Sequence, residues 1–283
     1  MKSLAQKKYS DIKDIWLHRG LIKDFVKKDF LTRYAGSMLG SVWNIINPLV
    51  MIAIYTLVFS KIMKARLPHF LEGTEAANYS YSVYLCTGLI PWGMFAESFL
   101  RSSNILLENG NLIKKVSFPS ELLNISAVIT STINFLIAFS FFILFLWGIN
   151  IFVGYPVKIT FLHCILLGFF IFLQQIFAFG LGLIFSVLTV FFRDVGQALH
   201  IITQLWFWFT PIVYQESIIP KAFLNLLKYN PLYHFIDCYH KILFEYKYPE
   251  LKTFFIALII TFTSLIIGIF VYRSLKSEIA DEL

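Results

Sequence analysis

Few residues in this sequence are of the types that do chemistry, and the most suggestive group lies in its last quarter. His234, Asp237, Cys238 and His240 follow one another at helical spacing, and imidazole, carboxylate and thiolate groups are common ligands of transition metals. The four side chains are of mixed types, however, and their spacing is not that of a standard zinc site. We therefore predict no metal site, and structural or interfacial roles for these residues.

Two other histidines, His163 and His200, lie within long apolar segments. A membrane-embedded glycosyltransferase or acyltransferase would need such a residue as a general acid or base beside its substrate. Neither histidine has an acidic residue next to it, and the nucleophile elbow, the zinc-protease helix motif and the lysine-paired serine are absent from the sequence. We assign no catalytic residue, and a transferase stays an alternative of a different class.

The sequence also lacks the loop that binds nucleotide phosphates, because no glycine is followed by a lysine. Any ATP that drives this protein is therefore hydrolysed by another polypeptide. Proton-driven transporters usually bury an acidic residue within a span, and the uncharged segments of this chain contain none. Transport driven by protonation of a carboxylate within the membrane is therefore not expected.

The composition indicates which elements carry these residues. The 283 residues are 58% hydrophobic and 14% charged, with a mean hydropathy of +0.70, which is typical of a membrane protein rather than of a soluble domain. The long apolar segments lack the alternation of barrel strands, so they are predicted to be helices. The predicted fold class is an all-α integral membrane protein.

Uncharged segments predict the number of spans, since a hydrocarbon core about 30 Å thick needs about 20 helical residues. Six transmembrane helices are predicted, at about 38–60, 80–104, 122–147, 160–190, 196–214 and 253–272. An even number places both termini on the same side of the membrane. Nine of the 24 basic residues precede Tyr34, and the positive-inside rule makes that side cytoplasmic.

Residues 1–34 are predicted to form a cytoplasmic tail with an amphipathic helix. Its apolar stripe consists of Ile12, Ile15, Trp16, Ile22, Phe25, Val26 and Phe30. This pattern is typical of a helix that lies in the membrane interface, although a helix packed on a partner protein would show the same pattern. Basic residues beside the first span make anionic membrane lipid the expected partner, and no nucleic acid.

Two segments between spans are too apolar for plain loops. Residues 109–119 carry two lysines among apolar side chains and are predicted to form a short docking helix on the cytoplasmic side, with a solvated loop as the alternative. Residues 216–250, in the last external loop, are predicted to form short re-entrant helices. Such helices need protein or a water-filled cavity to cover their backbone. Residues 35–283 would thus form one transmembrane domain.

Two stripes of side chains spaced at i, i+4 could face a transported sugar chain. The candidate channel-lining residues are Trp43, Asn47, Met51, Tyr55 and Phe59 in the first span, and His200, Gln204 and Trp208 in the fifth. Aromatic rings suit the C–H faces of sugars, and amides suit their hydroxyl groups. Ordinary helix packing with interfacial aromatic residues would give the same pattern.

Five motifs, in this order, resemble those of one protein family. They are KDFLTRYAGSMLGSVWNIINP at 28–48, LIKKVSFP at 112–119, FFRDV at 191–195, TPIVY at 210–214 and NPL at 230–232. Over almost its whole length the chain is similar to the membrane subunits of ABC-2-type, or type V exporter-like, exporters of bacterial surface polysaccharides. That family includes permeases for O-antigen, capsule and teichoic acid.

The resemblance implies a homodimer in the bacterial inner membrane, resting on two copies of a cytoplasmic ABC ATPase that bind ATP and Mg. This chain would hold no cofactor, and its substrate would be a lipid-linked polysaccharide, for which we favour O-antigen over teichoic acid and capsule. The segment that matches the family's coupling helix would contact the ATPase. Its residues are Asn111, Leu112, Ile113, Lys114, Lys115, Val116, Phe118 and Pro119.

Three positions depart from the family's pattern. Ala35 stands where a basic residue is common, and Asp237 and His240 stand where glutamate and arginine are frequent. These departures bear on charge near the membrane surface and the outer gate rather than on the family. An ABC-2 permease for a small drug or lipid is the nearest alternative function, and a structural membrane scaffold is a further one.

Overall fold

The computed structural model describes residues 18–33, 36–63, 67, 74–116, 118–216 and 219–283, and these residues form ten α-helices and no β-strand. Helices α1–α5 are Arg19–Arg33, Trp43–Tyr55, Ala77–Glu108, Gly110–Lys115 and Glu121–Val153. Helices α6–α10 are Phe161–Phe191, Arg193–Trp208, Lys221–Leu227, Pro231–Leu243 and Leu251–Glu282. A 3-10 turn at Gly40–Val42 precedes α2, and a π-helix at Thr56–Ile62 continues it. The prediction of an all-α protein is confirmed.

Among the described residues, five helical segments are long and apolar enough to cross a membrane. They are Trp43–Ile62, Ala77–Glu108, Glu121–Val153, Phe161–Phe191 and Leu251–Ile279. Each overlaps a predicted span, so the multi-pass architecture is confirmed.

The sixth predicted span, 196–214, coincides with α7 and the turns that follow it. Helix α7 has 16 residues and is therefore about 24 Å long, which is less than the roughly 30 Å of a hydrocarbon core. The turn-rich residues 209–214 complete the predicted segment. Its crossing of the membrane stays a prediction.

Helix α3 is the centre of the bundle and packs against α5, α6, α7 and α9. In its most apolar window 67% of the residues are buried, against 11% for the segment that begins with α2 and 17% for α5. Helices α2 and α5 thus keep most of their apolar surface for contacts outside this chain, with lipid or with another subunit.

Small residues allow the central helices to approach closely, as is common in membranes. A Cβ atom added to Gly182 of α6 would lie 2.5 Å from Ser102 Cβ of α3. One added to Gly268 of α10 would lie 2.3 Å from the carbonyl oxygen of Gly180 on α6. Helices α6 and α10 therefore meet through their backbones.

Side-chain hydrogen bonds cross the interior between four helices. Ser98 of α3 lies 2.5 Å from the Ser131 hydroxyl of α5 and donates to Gln175 of α6 at 2.7 Å. The Tyr239 hydroxyl of α9 donates to the neighbouring Gln174 at 2.6 Å. Because apolar surroundings offer no water, these bonds satisfy the polar groups and fix the register of the helices.

Two short helices, α8 and α9, lie in the region predicted to be re-entrant. Asn230 caps α9 by accepting from the Leu232 amide at 3.0 Å, and it also accepts from the Trp206 indole at 2.7 Å. Its amide group donates to the Thr210 hydroxyl at 2.9 Å. The Asn-Pro-Leu motif therefore joins the start of α9 to the end of α7.

Candidate functional site

The predicted coupling segment, 109–119, contains the short helix α4, Gly110–Lys115, which follows α3 after a single residue, Asn109. Val116, Phe118 and Pro119 lie beyond the end of this helix. The Asn109 side chain donates to the Ile105 carbonyl at 2.9 Å. The backbone carbonyl of Asn109 accepts from the amides of Leu112 at 2.9 Å and Ile113 at 3.1 Å. These bonds satisfy backbone groups where one helix ends and the next begins. Helix α4 is thereby held firmly to the end of α3.

The structure divides the predicted coupling residues into an inward and an outward group. Ile113 and Phe118 pack against an apolar cluster, and Phe118 meets Phe25 of α1 with ring centres 5.6 Å apart. Leu112 is half-buried and Pro119 is buried. The exposed members are Asn111, Lys114, Lys115 and Val116. Among the described coupling residues, this second group is the most accessible to a partner protein.

The last turns of α10 support α4 from the side. A Cβ atom added to Gly110 would lie 3.3 Å from Leu283 Cδ2, so the two residues are in close contact. Lys276 pairs with Glu121 at the start of α5, with 2.7 Å between Nζ and Oε1. Helix α10 therefore links α4 to the first turn of α5. We call α1, α4 and residues 272–283 the α4 end of the bundle.

Helix α1 packs along α5 with one half-buried face. The described members of the predicted apolar stripe all lie on it: Ile22, Phe25, Val26 and Phe30. The remaining predicted members, Ile12, Ile15 and Trp16, lie outside the described residues, as does Ala35. The position of this helix in the membrane interface stays a prediction.

An ion-pair network ties α1 to α3. Asp29 pairs with Arg101 and Arg33 pairs with Glu97, while Arg101 also lies 3.7 Å from Glu97. Asn134 of α5 donates to Glu97 at 2.7 Å. The four charged side chains are only 22% to 26% exposed, so they are partly desolvated and depend on one another more than surface pairs do.

This network corrects one expectation from the sequence. The uncharged segment that begins at Ala76 ends at Ala96, but α3 and the predicted span 80–104 both continue past it and include Glu97, so a helix of membrane-spanning length does carry an acidic residue. Counting uncharged residues stops at the first charge, whereas a helix can continue where the charge is paired. Because two arginines and an amide surround Glu97, it is a structural partner rather than a carrier of protons.

Sequence reasoning missed this network, although the spacing held a clue. Asp29 lies four residues from both Phe25 and Arg33, so it falls on the apolar stripe of α1. An acidic residue on such a face is costly unless it is paired. Glu97 and Arg101 are also four residues apart and therefore share a face of α3.

The predicted channel stripe in the first span splits where the helix geometry changes. Its exposed members are Trp43, Asn47 and Met51, whereas Tyr55 and Phe59 are half-buried. The wider π-helical winding at Thr56–Ile62 shifts Phe59 from its α-helical position. Its ring centre lies 4.9 Å from that of Tyr81 on α3. The Trp43–Met51 part of the stripe is open, and the Tyr55–Phe59 part packs on α3.

The second predicted stripe is exposed along α7. Its members are His200, Gln204 and Trp208. The opposite face of α7 packs on α3, with Trp206 and Phe95 ring centres 5.4 Å apart and Phe207 and Trp92 ring centres 5.6 Å apart. The second stripe and the Trp43–Met51 part of the first are thus open in the single chain, where lipid or a second subunit would cover them.

The two histidines considered for catalysis have different surroundings. His163 is buried and caps α6, with its Nδ1 2.7 Å from the Thr160 hydroxyl and accepting from the Thr160 amide at 3.1 Å. Its ring stacks on Tyr248 with centres 4.8 Å apart. His200 is exposed on α7. These contacts give His163 a structural role and bring no acid–base pair together.

A cavity of about 510 Å³ lies between α3, α9, the start of α10 and the residues that follow α7. We call it the α9 cavity. It is lined by His234, Asp237 and His240 from the group first considered as metal ligands, but not by Cys238, which is buried elsewhere. Within the described parts of the chain, no three potential ligands come close enough to hold a metal ion.

Burial controls the charges of the α9 cavity. It raises the pKa of the Asp237 carboxyl, although Lys241 lies only 2.8 Å away and opposes the shift. It also lowers the pKa of His240 to about 3, so this imidazole is neutral. The His240 ring stacks on Tyr84 with centres 4.1 Å apart, and a Cβ atom at Gly88 would lie 2.9 Å from its Nε2. Only glycine leaves room for the ring at that point.

Comparisons with known proteins agree with this architecture. An O-antigen export system permease protein, RfbA, of Klebsiella pneumoniae is 31% identical over 279 residues, covering 93% of this chain and 95% of that protein. A permease of the same name from Myxococcus xanthus is 25% identical and covers 96% of this chain and 98% of that protein. The polysialic acid transport protein KpsM of Escherichia coli is 25% identical, with coverages of 87% and 90%.

The family model with the description "ABC-2 type transporter" matches residues 21–244. The matched region runs from α1 to the residue after α9, and so includes the ion-pair network, α4, both candidate channel stripes and most of the α9 cavity. The motifs of the sequence, the helical bundle and the family match agree, and the chain belongs to the ABC-2 type transporter family.

Proposed function

We propose that this chain is the transmembrane subunit of an ATP-driven exporter that moves lipid-linked polysaccharide, with O-antigen as the substrate, across the bacterial inner membrane. The observation that carries the proposal is the similarity to permeases named for O-antigen export, which extends over 93% of the chain. The relative named for polysialic acid transport supports a polysaccharide as the common cargo.

A separate ABC ATPase would bind ATP and Mg and drive export through α4. The exposed lysines Lys114 and Lys115 offer positive charge to such a partner, while Ile113 and Phe118 anchor the segment to the bundle. Movement of the ATPase against α4 would then reach α3 and α10 as a rigid-body displacement. This chain itself would be neither an ATPase nor a transferase.

A homodimer would cover the open faces of α2 and α7. Its two copies would place the stripes at Trp43 and at His200 around one path for the glycan. The basic residues before the first span support cytoplasmic termini, because they favour the cytoplasmic side of the membrane.

Deletion of the gene tests the proposal in the producing strain. We expect lipid-linked polymer to accumulate inside the cell while surface glycan disappears, with both reversed by a plasmid that carries the wild-type gene. The identity of the lost glycan, whether O-antigen, capsule or teichoic acid, names the substrate. Normal surface display of all three would contradict polysaccharide export and favour an ABC-2 permease for a small drug or lipid.

A further inference from the structure

The α9 cavity has the size and position of a ligand site. Its volume of about 510 Å³ lies within the range of about 300–1,000 Å³ that is usual for small-molecule sites. Four structural elements form its walls: α3, the segment after α7, α9 and the start of α10. It is therefore a built concavity rather than a gap within one loop.

The charges around the cavity nearly balance. Four carboxylates and three lysines line it, and Asp237, Lys241 and Glu250 are linked by contacts of 2.8 Å and 3.6 Å. The Glu216 carboxylate lies near the Tyr233 hydroxyl, whose pKa is raised by burial and by this carboxylate. A phosphate or a polyanion would require a strongly positive site. Closely spaced donors and acceptors without net positive charge suit a ligand with several hydroxyl groups.

Two buried imidazole nitrogens of the cavity lining lack a hydrogen-bond partner among the described residues, His234 Nδ1 and His240 Nε2. His234 is 7% exposed, and its Nε2 donates to the Lys228 carbonyl at 3.0 Å, since a carbonyl oxygen can only accept. Its Nδ1 has no hydrogen-bond partner among the described residues. An unsatisfied buried acceptor costs free energy, and because this nitrogen is shielded from solvent, a ligand hydroxyl would satisfy it once the His234 ring turns toward the cavity.

Both candidate channel stripes lead to this cavity. In the first stripe, the ring centres of Tyr55 and Phe59 are 6.4 Å apart, and that of Phe59 lies 4.9 Å from that of Tyr81. The Tyr81 ring in turn lies 6.4 Å from that of Tyr84, which lines the cavity. From the other stripe, the backbone at Trp208 accepts from the Tyr214 hydroxyl at 2.7 Å. The Tyr214 carbonyl in turn accepts from the Tyr84 hydroxyl at 3.0 Å. Contacts therefore connect each stripe to Tyr84 on the wall of the cavity.

We propose that the α9 cavity binds one or two sugar rings of the exported glycan through their hydroxyl groups, as the glycan leaves the translocation path. Tyr233, Glu216, His234 and Lys252 are the residues that recognise the sugar, while Tyr84 and His240 form the rigid wall behind it. The inference rests on the proposed function, because it takes the ligand to be a segment of the transported polysaccharide.

Binding of released glycan to the purified chain tests the inference. The probe is oligosaccharide cut from the strain's own surface glycan, with maltohexaose for comparison, and the protein is the full chain in lipid nanodiscs. Saturation-transfer NMR titrations give the dissociation constants. We expect Glu216→Gln and Tyr233→Phe each to weaken binding of the strain's oligosaccharide by about tenfold, since the first replaces a charged acceptor with a neutral one and the second removes a hydroxyl group.

Lys252→Ala removes a lysine that lines the cavity. Its matched control is Lys158→Ala, which removes a lysine from the 154–160 connection outside the cavity. We expect weaker binding only with Lys252→Ala. Unfolding midpoints measured on all variants identify any that fold poorly, and such variants are replaced by His234→Gln.

Equal affinity in wild type and all folded cavity variants would overturn the inference, as would no binding by the wild type. Neither result touches the proposed function, which the deletion strain decides separately. A third outcome separates the two hypotheses. If the gene deletion leaves every surface glycan intact but the purified chain binds the oligosaccharide through the cavity, export of that glycan is contradicted and the sugar site is retained.

Discussion

The α4 end and the α9 cavity use similar charged residues in different arrangements. At the α4 end the ion pairs join separate helices, as Asp29 of α1 does with Arg101 of α3. At the α9 cavity, Asp237 pairs with Lys241 on the same helix, and the walls enclose about 510 Å³ of open space. Partly buried pairs between helices hold those helices together, whereas at the α9 cavity the pair within α9 is joined to the start of α10 through the exposed Glu250, 3.6 Å from Lys241 and a weaker link.

This difference suits different tasks at the two ends. An end that receives a mechanical displacement needs elements that move as one body. An end that binds a flexible chain needs polar groups that are positioned but accessible. Four substitutions, from the largest expected effect to the smallest, test this distinction.

The largest effect is expected from Arg101→Ala. Removing the arginine leaves Asp29 partly desolvated without its cation, and we expect a loss of about 3 kcal/mol in the free energy of unfolding. Thermal unfolding of the purified chain in detergent measures it. The charge-swapped double variant Asp29→Arg with Arg101→Asp should recover part of the loss. An unfolding midpoint equal to that of wild type would mean that α1 is not held by this pair.

The next effect is expected from the double substitution Lys114→Glu and Lys115→Glu. Both side chains are exposed, so we expect an unchanged unfolding midpoint but about tenfold weaker association with the ATPase, because reversed charges oppose a complementary surface. Co-purification of the ATPase with the tagged chain measures association. Lys158→Glu, far from α4 in the sequence, serves as the control. Undiminished co-purification would remove these lysines from the partner interface.

A smaller effect is expected from Leu283→Asp. This change replaces the apolar contact on Gly110 with a carboxylate, at a cost of about 1–2 kcal/mol. We expect faster hydrogen exchange in α4 and a several-fold slower ATP-driven export, while Leu283→Met should behave as wild type. Unchanged exchange in α4 would show that α10 does not brace it.

The smallest effect is expected from Asp237→Asn in the α9 cavity. Burial raises the pKa of Asp237 above its value in the unfolded chain. The contribution of Asp237 to stability is therefore fully present only below the pKa of the unfolded chain, and it is lost as the pH rises through the pKa of the folded protein. At neutral pH we expect Asp237→Asn to change the free energy of unfolding by less than about 1 kcal/mol, because the cost of burying the Asp237 carboxylate offsets its attraction to Lys241, and Glu250 remains 3.6 Å from Lys241 in the variant. Its stability should also vary less with pH above 3.8 than that of wild type. A loss as large as that of Arg101→Ala would end the distinction between the two ends.

Segment length and periodicity predicted much of the fold. The uncharged segments around α5 and α6 predicted those helices closely, at 122–147 and 160–190 against the observed Glu121–Val153 and Phe161–Phe191. The i, i+3, i+4 pattern likewise predicted which face of α1 is half-buried. These features depend on the local sequence, because each apolar face must leave water and each backbone amide must be bonded within its helix.

Pairing across the sequence lay beyond local patterns. Glu97 marked the end of an uncharged segment, yet Arg33, 64 residues earlier in the chain, lets α3 continue through it. The π-helical winding after α2 also shifted Phe59 away from the stripe that the i, i+4 spacing predicted. Each outcome depended on a neighbour or a backbone geometry that the local residues do not specify.

By itself the sequence determined an all-α membrane protein with the motifs of its family, since composition, segment length and motif order are properties of the chain alone. Only the tertiary structure decided which coupling residues face outward, how Asp29, Arg33, Glu97 and Arg101 pair, and where Tyr84, Glu216, His234 and Lys252 meet around one cavity. Each group draws its members from distant parts of the sequence, and close packing at small residues such as Gly182 and Gly268 brings α3, α6 and α10 together. Their proximity follows from the closeness of the backbones, which no single segment encodes.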